Sequence, residues 1–241
     1  MINFSQSLQE RYRFVQDQIF KACDRSNRSP ADVILLGASK GQSFDLIKSF
    51  LDFGLKYIGE NYLQEAVDKI SLINSYKPTV QKHFIGHLQT NKVKKVIQLF
   101  NSIQSVDSLK LAKEIDKRFP QVFPDNENPQ PYSVFVEVNL SGDENKSGCS
   151  PSDAFELVEF ITDQTKYVQC VGLMTISPLQ MIKESDLHRF FTDMSKLSEQ
   201  IQSSFPDCTQ LSMGMSDDFE IAIEEGSTLV RLGTLLFGPR K

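Results

Sequence analysis

Apolar side chains recur every three or four residues through the opening stretch, at Phe4, Leu8, Tyr12, Val15, Ile19 and Cys23, a spacing that lines one face of a helix. Downstream the pattern changes to short aliphatic and β-branched runs bounded by polar turns. Eight of these runs have strand character: Val33–Ser39, Tyr57–Glu60, His83–Gly86, Ser102–Val106, Ser133–Leu140, Val168–Met174, Gln210–Met213 and Leu229–Leu232. The stretches between them return to helical spacing, over Phe44–Phe53, Tyr62–Leu72, Asn91–Leu99, Leu109–Phe119, Pro151–Gln164, Lys183–Ser204 and Asp218–Glu225. Ser150, followed by Pro151 and Asp153, reads as an N-cap with proline at the first helical position. Asn61 with Gln64, and Asp217 with Glu220, have the spacing of capping boxes.

Strands that alternate with helices need crossover connections and so build a parallel sheet. Eight of them within 241 residues favour an α/β fold closed into a (β/α)8 TIM-type barrel, with an extra N-terminal helix, over an open doubly wound sheet. The whole chain, residues 1–241, is then expected to be one barrel domain. The stretch Pro120–Pro131, rich in proline, asparagine and acids, reads as a surface loop on the face opposite a barrel's active site.

Composition narrows the function. The formal charge is −5, and no run of lysine and arginine is interleaved with aromatics, so nucleic acid is not an expected partner. Lys92, Lys94 and Lys95 read as the solvated face of a helix. The four cysteines, Cys23, Cys149, Cys170 and Cys208, lie far apart without metal-ligand spacing, as expected of reduced thiols in a cytoplasmic protein. The first residues lack the apolar stretch of a signal peptide, and no apolar run approaches membrane-spanning length. No dimer signature stands out, so a monomer is expected.

The candidate chemistry begins at Lys40, which closes the first strand run and precedes a glycine. A lysine at the rim of a sheet is partly desolvated, which disfavours its ammonium form. A neutral amine there can attack an aldehyde and hold it as a Schiff base; a lysine that merely reaches into water is the other reading. Two segments near the end add to the picture: Leu211–Asp217, running from the seventh strand toward a helix, and Val230–Thr234, closing the eighth. Each pairs a glycine with hydroxyl side chains, and the loops after strands seven and eight are a frequent phosphate site in barrels. Closure puts the first strand beside the eighth, about 4.8 Å away. An amine near a phosphate cup suits a phosphorylated aldehyde, pyridoxal 5′-phosphate (PLP) or a sugar phosphate.

Arg231 lies two residues before Gly233 and faces the same side of its strand. A guanidinium only donates hydrogen bonds, so one facing a pyridine nitrogen would keep that nitrogen unprotonated. Alternatively, it is an interior arginine paired to Glu60 or Glu137. His83 and His87 have a metal-like spacing, but four strand residues span roughly 13 Å, too far for one ion; no metal site is expected. His87, at the end of the third strand, either lines a pocket or is structural. Lys146, in the polar loop after the fifth strand and so on the active face, reads as a solvated lysine, with contact to an anion as the other reading, and Met174 and Thr175 as pocket wall.

These stretches resemble a family. Ala38-Ser39-Lys40, Tyr57–Tyr62, His83–Lys92, Ser105–Asp107, Lys146–Gly148, Gly172–Thr175, Leu211–Asp217 and Val230–Pro239 are similar, in order, to the pyridoxal phosphate homeostasis proteins, single-domain relatives of the alanine racemase N-terminal barrel. The resemblance implies PLP held on Lys40, phosphate contacts from Ser212, Gly233 and Thr234, Arg231 near the pyridine nitrogen, and Asn61 and His87 in the pocket. It departs after the lysine, where the family's threonine and proline are replaced within Gly41-Gln42-Ser43. The implied function is PLP binding and control of its free level, with delivery to apo-forms of PLP enzymes and no turnover reaction. An amino-acid racemase of the same barrel type and a Schiff-base aldolase acting on a sugar phosphate are the alternatives. A racemase needs an acid–base group on each face of its substrate carbanion.

Overall fold

Eight parallel strands close on themselves in the order in which they occur along the chain. The computed structural model describes residues 7–124, 130–143, 145–178 and 183–239. In chain order the elements are α1 (Leu8–Arg25), β1 (Ile34–Ala38), α2 (Phe44–Asp52), β2 (Tyr57–Glu60), α3 (Leu63–Tyr76), β3 (Gln81–Phe84), α4 (Val93–Leu99), β4 (Ser102–Val106), α5 (Leu109–Val122), β5 (Tyr132–Glu137), α6 (Pro151–Gln164), β6 (Val168–Met174), α7 (Glu184–Ser204), β7 (Gln210–Ser212), α8 (Phe219–Glu224), β8 (Leu229–Leu232) and α9 (Thr234–Phe237). β1 closes the barrel, pairing with β2 (Ala38 opposite Gly59) and with β8 (Leu36 opposite Arg231). The expected barrel is therefore present, with α1 as the additional helix.

Alternation along each strand splits the side chains into two sets. One set points out and packs under the helices. Val134, Val136, Leu173 and Leu211 meet apolar residues of α4 to α7 in the larger outer core. The other set points in, where Leu36, Ala38, Ile85, Phe135, Met174 and Leu229 form an apolar interior cluster. α1 buries Val15, Ile19, Ala22 and Cys23 against the β1 and β8 flank, together with Phe50, Leu51 and Phe237. Each Val or Ile so buried contributes roughly 1.5–3 kcal/mol.

The helix starts follow the local hydrogen bonding. Ser150 caps α6, accepting from Asp153 N, with Pro151 in the first turn. α1 has a full capping box, in which Ser7 Oγ accepts from Glu10 N and Ser7 N donates to Glu10 Oε2 at 2.8 Å. The boxes expected at Asn61 and Asp217 do not form: α3 and α8 are preceded by Tyr62 and Asp218, neither of which makes a side-chain cap. The loop expected from Pro120 starts later, because α5 runs through Pro120 to Val122. Phe119 anchors that last turn against Phe123, Tyr132 and Tyr167. Phe4 and residues 125–129 of the expected loop lie outside the described residues. Among the described residues, no helix is long and apolar enough to cross a membrane.

Candidate functional site

The inward-facing positions of β1, β2, β3, β5 and β8 converge on the C-terminal mouth of the barrel. Lys40 lies two residues beyond Ala38 on the inward side of β1. Continuing the β1–β2 register by two residues sets it level with Asn61, and Ser39 N donates to Gly59 O at 2.9 Å along that edge. On the other side, a side chain built at Gly233 would meet Ala38 O at 3.4 Å. Lys40 is thus flanked by Asn61 and by the Gly233 turn, as barrel closure requires. The turn after it is made by Gly41, at φ 70°, a backbone region that glycine enters without strain. Gly41 N donates to Glu65 Oε2 at 3.1 Å, and Ser43 caps α2 by accepting from Leu46 N. The departure from the family's threonine and proline is accommodated by that turn and cap.

Behind Lys40, on the outward side, lies a buried ion pair. Lys69 Nζ contacts Glu60 Oε1 at 2.7 Å and Ser39 O at 2.9 Å, and Ser39 Oγ donates to the same carboxylate oxygen at 2.6 Å. Glu60 is fully buried there and does not face Arg231.

Arg231 enters the barrel interior with 5% of its surface exposed. Its Nη1 donates to Ser212 O at 2.8 Å and Ser212 Oγ at 2.7 Å, and its Nη2 to Thr175 O at 2.7 Å. Neither carboxylate weighed from the sequence makes a hydrogen bond to it. Burial lowers its pKa to about 10, while the charges of Asp218 and Glu137 oppose that shift. Glu137, at the end of β5, is buried; burial and the Asp107 charge push its carboxyl up to about 7, with Arg231 pulling the other way.

The turns after β7 and β8 come together at this mouth. Arg231 N donates to Gly214 O at 3.0 Å, and Leu235 N donates to Ser216 Oγ at 3.2 Å. Gly233 and exposed Thr234 lie at this junction. Ser212 does not share it: its hydroxyl is fully buried and is engaged by Gln104 and Arg231 inside the barrel. Ser216 is the hydroxyl that sits beside the Gly233 turn, and only its place in the same Ser-and-Gly segment signalled it in advance.

A cavity of about 310 Å³ opens at the mouth, lined by Asn61, Gly86, His87, Glu137, Lys146 and Ser177 among others. That volume lies within the range of small-ligand sites. A wider cleft of about 650 Å³ adjoins it, between Leu140, Pro178 and α7, and one of about 730 Å³ lies beneath α1. Two polar atoms in the cavity wall are buried without a hydrogen-bond partner, Asn61 Oδ1 and Lys146 Nζ. Buried polar atoms are seldom left so in folded proteins, and both ask for polar groups on a ligand. Lys146 was expected to be a solvated loop lysine; the loop after β5 instead folds its amine into the wall. His87 stands at the rim, its side chain 62% exposed, 3.9 Å from Asp107 and 3.4 Å from Ser147 Oγ. His83 lies lower in the barrel, against Tyr57 and Phe135.

The family model for the alanine racemase N-terminal domain matches residues 38–241. A protein of Aquifex aeolicus named pyridoxal phosphate homeostasis protein is 42% identical over 233 residues, 96% of this chain and 98% of that protein. The chain belongs to the pyridoxal phosphate homeostasis protein family. Among solved structures, PipY of Synechococcus elongatus with PLP bound is 30% identical and superposes with a TM-score of 0.81 over 96% of this chain and 100% of that one. Alanine racemase of Clostridium difficile shares the fold, with a TM-score of 0.72 at 13% identity over 94% of this chain and 56% of that one. The family assignment agrees with the chemistry at this end of the barrel: an amine-bearing strand end, a turn pair with hydroxyls and an interior guanidinium lie beside a cavity whose wall holds two unsatisfied polar atoms.

Proposed function

We propose that this chain binds PLP as a Schiff base on Lys40 and takes part in keeping the cellular pool of PLP in balance, delivering it to apo-forms of PLP enzymes. The observation that carries the reading is the convergence of Lys40, Asn61, Arg231 and the Gly233 turn on one mouth, beside a cavity with two orphaned polar atoms. When bound, the cofactor supplies an aldehyde carbon open to amine attack and a ring that absorbs visible light.

The chain's own residues divide the work of holding it. Lys40 would make the covalent link, its amine nitrogen replacing the aldehyde oxygen, which would leave as one water with the two amine protons. Gly233, Thr234 and Ser216 would hold the phosphate, and Ser212 supports the site through its hydrogen bond from Arg231. The Arg231 guanidinium, a donor only, would hold the pyridine nitrogen as an acceptor and keep it unprotonated, which would weaken the ring as an electron sink. That suits a carrier better than a racemase. Asn61 and His87 close the sides, and Lys146 offers a cation to an anionic group in the cavity. A homeostasis role without turnover follows the printed names of relatives such as the Aquifex aeolicus protein.

A loading and transfer assay tests the reading. Protein mixed with PLP turns yellow, and Lys40→Ala loses the covalent link while keeping some affinity. Loaded protein activates an apo-enzyme at a rate different from free PLP at equal concentration. A protein that stays colourless with excess PLP, or steady conversion of L-alanine to D-alanine by pure protein, would refute it.

A further inference from the structure

A barrel interior is ordinarily filled with branched apolar side chains. This one is crossed by a polar column. Arg231 Nη1 donates to Ser212 Oγ at 2.7 Å, Ser212 Oγ donates to Gln104 Oε1 at 2.8 Å, and Gln104 Nε2 donates to His83 Nδ1 at 2.8 Å. All four residues are buried, Gln104 and Ser212 completely. The column ends at a cavity of about 190 Å³ at the opposite end of the barrel, lined by His83, Ser102 and Gln210.

The direction of each bond follows from counting protons. A hydroxyl has one proton. Because Gln104 Oε1 takes it, Ser212 can offer Arg231 only lone pairs. The amide of Gln104 is oriented in turn by its far end, where His83 Nδ1 must be an acceptor. Burial holds the His83 pKa down at about 4, so the ring is neutral and able to accept. Along this column each hydrogen bond therefore runs from Arg231 toward His83. Three hydrogen bonds from Arg231 end on neutral oxygens, so the guanidinium charge is left uncompensated by direct contact and its direction depends on those oxygens.

We propose that Gln104 is a positioning residue: by taking the Ser212 hydroxyl proton it fixes Ser212 as an acceptor and holds the Arg231 guanidinium in one orientation toward the cofactor ring. The proposal rests on the reading that PLP is bound at this mouth. Without Gln104 the Ser212 proton can turn toward Arg231 and set donor against donor, which loosens the guanidinium.

Two measurements separate this inference from the reading beneath it. The first records Arg231 side-chain NMR signals on cofactor-free protein, assigned with Arg231→Lys. In the wild type those protons exchange slowly. In Gln104→Leu they are lost or exchange at least about tenfold faster, the effect of one charge-assisted hydrogen bond. Ser212→Ala, a smaller change should the first variant fold poorly, does the same, and Ser212→Thr, which keeps the hydroxyl, restores slow exchange. The second records the visible band of PLP-loaded protein, which moves in Gln104→Leu and Ser212→Ala while borohydride still traps the cofactor on Lys40. Unchanged Arg231 signals in both variants would overturn the proposal whether or not PLP binds, and so would loosened signals with an unmoved band. Loosened signals in a protein whose wild type takes up no PLP would leave Gln104 as the support of Arg231 and defeat the cofactor reading alone.

Discussion

Glu137 is a buried carboxyl in the lining of the mouth cavity, and replacing it by glutamine removes a charge that the fold has to accommodate. Its ordinary carboxyl pKa of 4.5 is raised to about 7 by burial, with Asp107 adding to the shift and Arg231 opposing it. A raised carboxyl pKa means that the folded state binds the proton more tightly than the unfolded chain. The associated stability is fully present below about pH 4.5 and is lost as pH rises through about 7. The gap of about 2.5 units corresponds to about 3 kcal/mol across that window. Glu137→Gln keeps the shape and has no such titration. Chemical denaturation of both proteins at a series of pH values reads this residue together with its coupling to Asp107 and Arg231, while uncoupled groups cancel in the difference. The two proteins should have similar stability near pH 4.5, and the variant should become the more stable by about 3 kcal/mol above pH 8. A difference that stays flat with pH, or grows in the opposite direction, would refute the placement of Glu137 as a buried acid.

Other changes test other parts of the structure. Lys69→Met strips the cation from fully buried Glu60, and stability should fall by about 3–5 kcal/mol, whereas Lys69→Met with Glu60→Gln recovers most of it; denaturant midpoints decide. Gly86→Ala would place a methyl group 2.1 Å from Asn61 O, so the backbone beside the cavity must shift, with a loss of at least about 1–3 kcal/mol and weaker PLP uptake, read by thermal melting and by titration. Arg231→Leu leaves Ser212 Oγ and Thr175 O without their charged donor and should destabilise by about 2–4 kcal/mol, checked by the same denaturation series.

Much of the barrel was legible from periodicity. Tyr57–Glu60, Ser102–Val106, Val168–Met174 and Leu229–Leu232 form as strands with the bounds read from the sequence, because each is a short apolar run cut off by polar turns. Strand alternation also placed Arg231 and Gly233 on one side, and closure brought them beside Lys40. What alternation does not carry is the pairing of polar side chains across the barrel. Ser102 and Gln104 occupy alternate positions of β4, a visible polar stripe, but the partners of Gln104 lie on β3 and β7 and depend on the barrel's stagger. For that reason the strand pattern leaves Gln104 unmarked, and the resemblance puts at the phosphate a Ser212 that the structure holds inside the barrel. Capping spacing misled at Asn61 and Asp217. Asn61 ends a strand and keeps its side chain in the cavity wall, while Asp218 accepts from Met215 N and Ser177 Oγ to hold the turn after β7. The Lys146 amine turned inward because its loop folds back on Asn139, through hydrogen bonds from Asn139 Nδ2 to Asp143 O and Lys146 O that no local pattern announces.

Everything proposed for the cofactor depends on a covalent attachment at the end of β1. It is checked by loading the protein with PLP, reducing it with borohydride and mapping the peptides by mass spectrometry. A pyridoxyl group is expected on Lys40 and not in Lys40→Ala; a pyridoxyl group on another lysine of the wild type, or on none, would overturn the attachment.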